Sequence, residues 1–157
     1  MSIKVRRVVT GHDKNGKAVI LKDEISPHAR SSRSGVSSTV IWSTPFFPPD
    51  NNDDTDGGQV IGGTIPGGTV FRISRHEPGE APRPHRTSSL DYVIVLQGEM
   101  TLILDDSEVV LKAGDTAVQR GTIHNWANRG TEPVVIAYIM LSCPPVTAGG
   151  EALEAKG

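Results

Sequence analysis

Hydrophobic and polar positions alternate with a period of two along most of this chain, and no segment sustains a 3.6-residue period over three turns. "IKVRRVVTG" and "KAVILKDE" flank the polar stretch "HDKNGK", a pattern that predicts a hairpin. "SSTVIWSTPF" predicts another strand. Residues 47–58, "FPPDNNDDTDGG", are a Pro/Asp/Asn/Gly run that predicts a surface loop, and they lack the spacing of a calcium-binding EF-hand. In "GGTVFRISRHEP" the alternation puts Val70, Arg72 and Ser74 on one face and Phe71, Ile73 and Arg75 on the other. Strand after strand then follows in residues 91–141, with turns at "QGE", "DDSE", "KAGD" and "NRGTEP". Turns at that spacing belong to a β-sandwich or a small barrel, so the chain reads as all-β.

Composition narrows this picture. A chain of 157 residues suits one domain with a sizeable core, and 17 Gly with 11 Pro fit many short strands rather than a helical bundle. A net charge of −2 and a pI near 6.2 give no reason to expect nucleic acid or an anionic membrane as a partner. No apolar run approaches the roughly 20 residues that cross a bilayer, and the N-terminus lacks the apolar core of a signal peptide. The single Cys143 cannot form an internal disulfide, which makes a reducing cytoplasm the expected location. With no histidine near it in sequence, Cys143 reads as a small buried or near-terminal residue rather than a nucleophile.

Candidate chemistry lies in two stretches. In "PHRTSSLDYVIVLQGE", His85, Thr87 and Asp91 are two and four residues apart, so an extended chain points all three to one side. In "GDTAVQRGTIHNWANRG", His124 and Trp126 share parity in the same way. Two imidazoles and a carboxylate converging from two strands make a three-point set: His85, Asp91 and His124 as catalytic residues and as ligands of a divalent ion. With no thiolate available, Fe, Mn, Ni and Zn all suit that set. Trp126 is a candidate pocket wall, and Gln119 could offer an amide inward. Arg83 and Arg86 read as solvated charges beside a loop, and Tyr92, on the opposite face from Asp91, as packing. His76 reads as a solvent-exposed loop histidine, held in reserve as a fourth ligand. His12 and His28 lie in turns with no chemical role expected. "GQVIGGTIPGG" is Gly-rich but precedes no helix, so it makes no phosphate cradle.

These two stretches resemble the paired motifs of the small single-domain cupins. The first motif runs His-x-His, Glu and Gly; His85, Thr87, Asp91 and Gly98 fall at those places. The second runs Gly-Asp, Pro-x-Gly, His and Asn; Gly114, Asp115, Gln119 (at the Pro), Gly121, His124 and Asn128 match it. The resemblance covers about residues 60–142 and is closer still to bacterial and fungal cupins with "HRTxSxDY" and "QRGTxHxW" motifs. Some of these lie in natural-product gene clusters and carry the label oxidoreductase. The resemblance implies a jelly-roll β-barrel over residues 60–142. Residues 1–59 then add N-terminal strands and a loop that pack on or extend the barrel, and 143–157 form a C-terminal tail. Thr87 removes one imidazole from the family pattern and Asp91 shortens the carboxylate arm. The outcome is either a three-ligand site or a barrel that has lost its metal.

The function expected from these readings is a metal-assisted enzyme. It would act on a small oxygenated organic molecule inside the barrel by oxidation, decarboxylation, dehydration or isomerisation, with Thr87, Gln119 and Trp126 lining the pocket. The alternatives are a metal-free enzyme using a histidine as general base and a non-catalytic small-molecule-binding cupin. A homodimer is expected, because a second subunit would cover the unpaired N-terminal strands.

Overall fold

The computed structural model describes residues 3–157, and among these it contains thirteen strands and no helix. The first two residues of the basic N-terminal stretch lie outside the described residues. The expected hairpin is β1 (Arg6–His12) with β2 (Ala18–Ile25), a two-stranded ribbon. Next come β3 (Arg30–Arg33), β4 (Val36–Thr44), β5 (Thr69–His76), β6 (Ser89–Gln97) and β7 (Glu99–Ile103). They are followed by β8 (Glu108–Lys112), β9 (Thr116–Arg120), β10 (Asn125–Ala127) and β11 (Val134–Ser142). The chain closes with β12 (Val146–Ala148) and β13 (Glu151–Leu153). Two sheets form the body: six strands in the order β3-β4-β5-β11-β6-β9, and three in the order β10-β7-β8.

Register decides what the interior holds. Opposed residues of antiparallel neighbours share a face. Arg72 of β5 stands opposite Tyr138 of β11, which stands opposite Val93 of β6. One row along, Val70, Met140, Asp91 and Gln119 align across β5, β11, β6 and β9. The interior face of β6 is therefore Ser89, Asp91, Val93 and Val95, all buried. Val93 and Val95 join Met100, Leu102, Leu111, Trp126, Val134 and Ile136 in a core cluster that spans the two sheets. Each such side chain contributes about 1.5–3 kcal/mol by leaving water. Beyond this apolar end the same rows turn polar, and the interior opens into a cavity.

The N-terminal segment covers the other side of the large sheet, where Ile3 packs on Ile73 and Ala137. The ribbon is fixed by Arg7, only 3% exposed, which bonds Glu24 at 2.6 and 2.9 Å and Asp56 at 2.7 and 2.8 Å. Asp56 belongs to the Pro/Asp/Asn/Gly loop, which is thus tied down by one charge-assisted anchor. Gly98, closing the β6–β7 turn at φ 81°, sits so near Val134 that a Cβ would meet its Cγ2 at 3.0 Å. The tail also has structure: β12 pairs β13, and Lys156 bridges back to Arg86 beside His85.

Candidate active site

A cavity of about 500 Å³ opens inside the barrel, within the range that holds a small organic ligand. The expected parity holds along the first motif, because His85, Thr87 and Asp91 all line this cavity. His124 and Trp126 line it too. His85 and His124 are joined by paired backbone hydrogen bonds of 2.9 Å, and their rings lie 4.2 Å apart at 54°. The edge of Trp126 faces His124 at 6.1 Å.

A backbone carbonyl faces Nδ1 of each imidazole. Arg83 O lies 2.8 Å from His85 Nδ1, and Thr122 O lies 3.0 Å from His124 Nδ1. A carbonyl only accepts, so His85 Nδ1 carries the proton and its Nε2 a lone pair, whereas His124 Nδ1 faces both Thr122 O and, at 2.5 Å, the Gln119 amide nitrogen. The two rings differ in use. Gln119 Nε2 lies against both ring nitrogens of His124, 2.5 Å from Nδ1 and 2.9 Å from Nε2, whereas His85 Nε2 meets no partner among the described residues. Burial pushes His124 down to about 4, with the charges of His85 and Arg83 adding to the effect and the Thr122 bond opposing it. Burial likewise lowers His85, with Arg83 and Arg33 acting in the same direction. Both rings are neutral at pH 7.

Asp91 is 6% exposed and engaged elsewhere: Ser89 Oγ donates to its Oδ1 at 2.6 Å, with Thr87 Oγ1 2.8 Å from Ser89 Oγ. Burial raises its carboxyl, and the Ser89 and Thr87 hydroxyls oppose that rise. The three-ligand metal set of His85, Asp91 and His124 is not assembled. Among the described residues no three His, Cys, Asp or Glu side chains form a group that could hold an ion. The imidazoles meet, but the Gln119 amide lies against both nitrogens of His124 and the carboxylate is held by hydroxyls. These residues therefore do not fit the expected divalent ion.

Other positions differ from their expectation. His76 is not a loop histidine; it is 5% exposed at the end of β5 and lines the cavity. Its Nδ1 donates to both Glu80 oxygens at 2.8 and 2.9 Å, and its Nε2 lies 3.5 Å from the Tyr138 hydroxyl. Burial raises Tyr138 far above its ordinary range, with Glu80 and Asp91 adding to the rise, so the hydroxyl stays protonated. Gln119 is buried but stands against His124 rather than on the cavity wall. Tyr92 is 43% exposed rather than packed, and Cys143 is free and exposed. Arg83 is on the cavity wall, not merely solvated, together with Arg30, Arg33 and Arg72. Of these, the parity of Arg72 with Val70 was the one signal the sequence offered.

Comparison with known proteins agrees with this architecture. Residues 72–141 match the Cupin domain family. The "Cupin-domain-containing oxidoreductase fogC" of Aspergillus ruber is 34% identical over 161 residues, covering 96% of this chain and 79% of that protein. The chain belongs to the cupin-domain family. Other cupin relatives include the "Cupin-domain-containing oxidoreductase virC" of Hypocrea virens, 34% identical over 89% of this chain and 77% of that protein. "Phomopsin biosynthesis cluster protein D" of Diaporthe leptostromiformis is 34% identical over 94% of this chain and 83% of that protein. Among solved structures, a double-stranded β-helix protein of Klebsiella pneumoniae superposes with TM-score 0.53 at 19% identity, over 83% of this chain and 92% of that one. KdgF from Halomonas sp. superposes with TM-score 0.52 at 16% identity, over 72% and 84%. These two likenesses concern the fold alone.

Proposed function

We propose that this cupin is an enzyme of small-molecule metabolism that works by acid–base chemistry in the barrel cavity, with His85 as general base. Its relatives named oxidoreductases and biosynthesis cluster proteins support an enzymatic role in metabolism. The observation that carries the chemistry is the unequal use of the two imidazoles. The Gln119 amide lies against both ring nitrogens of His124, while the lone pair of His85 stands free at the cavity wall.

Loss of a C–H proton next to a carbonyl is the step shared by isomerisation, dehydration and oxidation at such a carbon. His85 Nε2 takes that proton, and the electron pair passes to the carbonyl oxygen. The protonated Tyr138 hydroxyl on the same wall is a hydrogen-bond donor for the developing negative charge. His124, neutral and pinned by Gln119 and Thr122, keeps the His85 ring in position through a tilted ring contact.

The test is hydrogen exchange in D₂O, followed by NMR across a panel of small keto acids, phenols and lactones. We expect C–H positions next to a carbonyl to exchange with the wild-type protein and not with His85→Gln. A panel in which nothing exchanges or turns over would leave a non-catalytic binding cupin. Exchange that persists in His85→Gln would remove this histidine from the chemistry.

A further inference from the structure

We propose that the ligand of this cavity is an organic carboxylate, seated against Arg72 with Arg30 and Arg83 beside it. This rests on the preceding reading only for the identity of the site, not for its chemistry.

The cavity wall carries more positive charge than the protein itself neutralises. Arg30, Arg33, Arg72 and Arg83 line it, and the one acid on that wall is Asp91. Only Arg33 has an acidic partner, Glu80 at 3.2 Å. Glu80 is itself shared with His76 at 2.8 Å. Arg30, Arg72 and Arg83 form no ion pair among the described residues, although five arginine–carboxylate pairs are made elsewhere. Arg30 and Arg72 are half-buried and Arg83 is exposed, and a partly desolvated cation without an anion is costly.

Arg72 is the sharpest case. Its Nη2 donates to the carbonyls of Ile61 and Gly63, each at 3.1 Å, and to that of Gly62 at 3.4 Å, which fixes the guanidinium in place. Its Nε is cut off from solvent and has no acceptor. Arg30 Nη2 donates to the same Ile61 carbonyl, so one loop aligns both cations. Burial and the neighbouring charges of Arg30 and Arg83 press the Arg72 guanidinium below its ordinary range, the response of a cation that lacks a counter-ion. Trp126 and Met140 on the same wall supply apolar surface for a carbon skeleton, which favours an organic acid over a bare inorganic anion. A planar guanidinium matches a carboxylate in geometry as well as in charge.

Isothermal titration calorimetry tests this with benzoate, cinnamate and citrate, their neutral amides, and inorganic phosphate. We expect at least one carboxylate to bind saturably while its amide does not. We expect Arg72→Gln to weaken that binding about tenfold or more. Because Arg72 also supports the Ile61–Gly63 loop, Arg83→Gln serves as the second variant, with unchanged thermal melting as its fold control and the same direction of effect expected. Equal binding of acid and amide, absence of saturable binding by every probe, or binding unaffected by both substitutions would each overturn the proposal. So would phosphate binding tighter than every carboxylate. The two proposals fail separately: charge-selective binding without proton exchange removes the acid–base reading and leaves this one standing. Exchange confined to neutral compounds, with carboxylates inert, does the reverse.

Discussion

At His85 the backbone decides the chemistry. In His85 and His124 each Nδ1 lies within hydrogen-bond distance of the carbonyl two residues before it, Arg83 O and Thr122 O, and in His85, whose Nδ1 has no second contact among the described residues, this presents Nε2 as a base. The value of about 4 for His124, set first by burial, gives a direct expectation: its ring NMR signals should titrate near pH 4, and a midpoint near the ordinary 6.5 would contradict the burial. The unfolded chain takes up that proton at higher pH than the folded one. The stability from His124 is therefore complete above about 6.5 and is lost as pH falls toward about 4. At the opposite wall, Glu80→Gln removes the charge that Arg33 and His76 share, and should cost about 2–3 kcal/mol in denaturant unfolding. Parity made His85, Thr87 and Asp91 legible as one side of a segment, and His124 with Trp126 as one side of another. His76 was not, because Pro78 and Gly79 after it read as a loop. Nothing in sequence says that Glu80, four residues on, folds back to bond it.

Among the elements, β6 was the clearest from its pattern: Ser89, Asp91, Val93 and Val95 point inward, as alternation required. β3 was the least clear. Its four residues, Arg30–Arg33, are too short and too polar to show a period, yet they bring two arginines to the cavity. The β1–β2 ribbon was legible as a hairpin, but its attachment through Arg7 to an acid in a distant loop was not, because ion pairs leave no periodic trace. Arg7→Ala removes the buried cation that Glu24 and Asp56 share and leaves only Lys22, at 3.3 Å from Asp56, beside them. It should destabilise the fold by roughly 3–5 kcal/mol, measured by urea melting. The Arg7 guanidinium holds the Asp56 carboxyl well below the usual carboxylate range. That stability is present above the usual range and lost only as pH falls through the depressed value. Asp56→Asn should therefore flatten the acid side of the stability curve.

For the whole molecule, the all-β class and the cupin motifs carried most of the fold, because turn spacing and Gly positions such as Gly98 are local constraints. The polar half of the interior was less legible, since which charges meet across strands depends on register. The homodimer remains a proposal at this scale. The β1–β2 ribbon pairs only with itself and exposes Val8, Ile20, Leu21 and Ile25, surface that a second copy would cover. Light scattering coupled to size exclusion should give twice the chain mass of 16.8 kDa, and a monomer would refute it. The most direct test of the central claim, a cavity whose own imidazole is the base, is substrate proton exchange measured before and after stripping with a chelator. Full exchange in the stripped protein is the expected result. Exchange that vanishes on stripping and returns with a stoichiometric divalent ion, bound by wild type but not by His124→Ala, would contradict it.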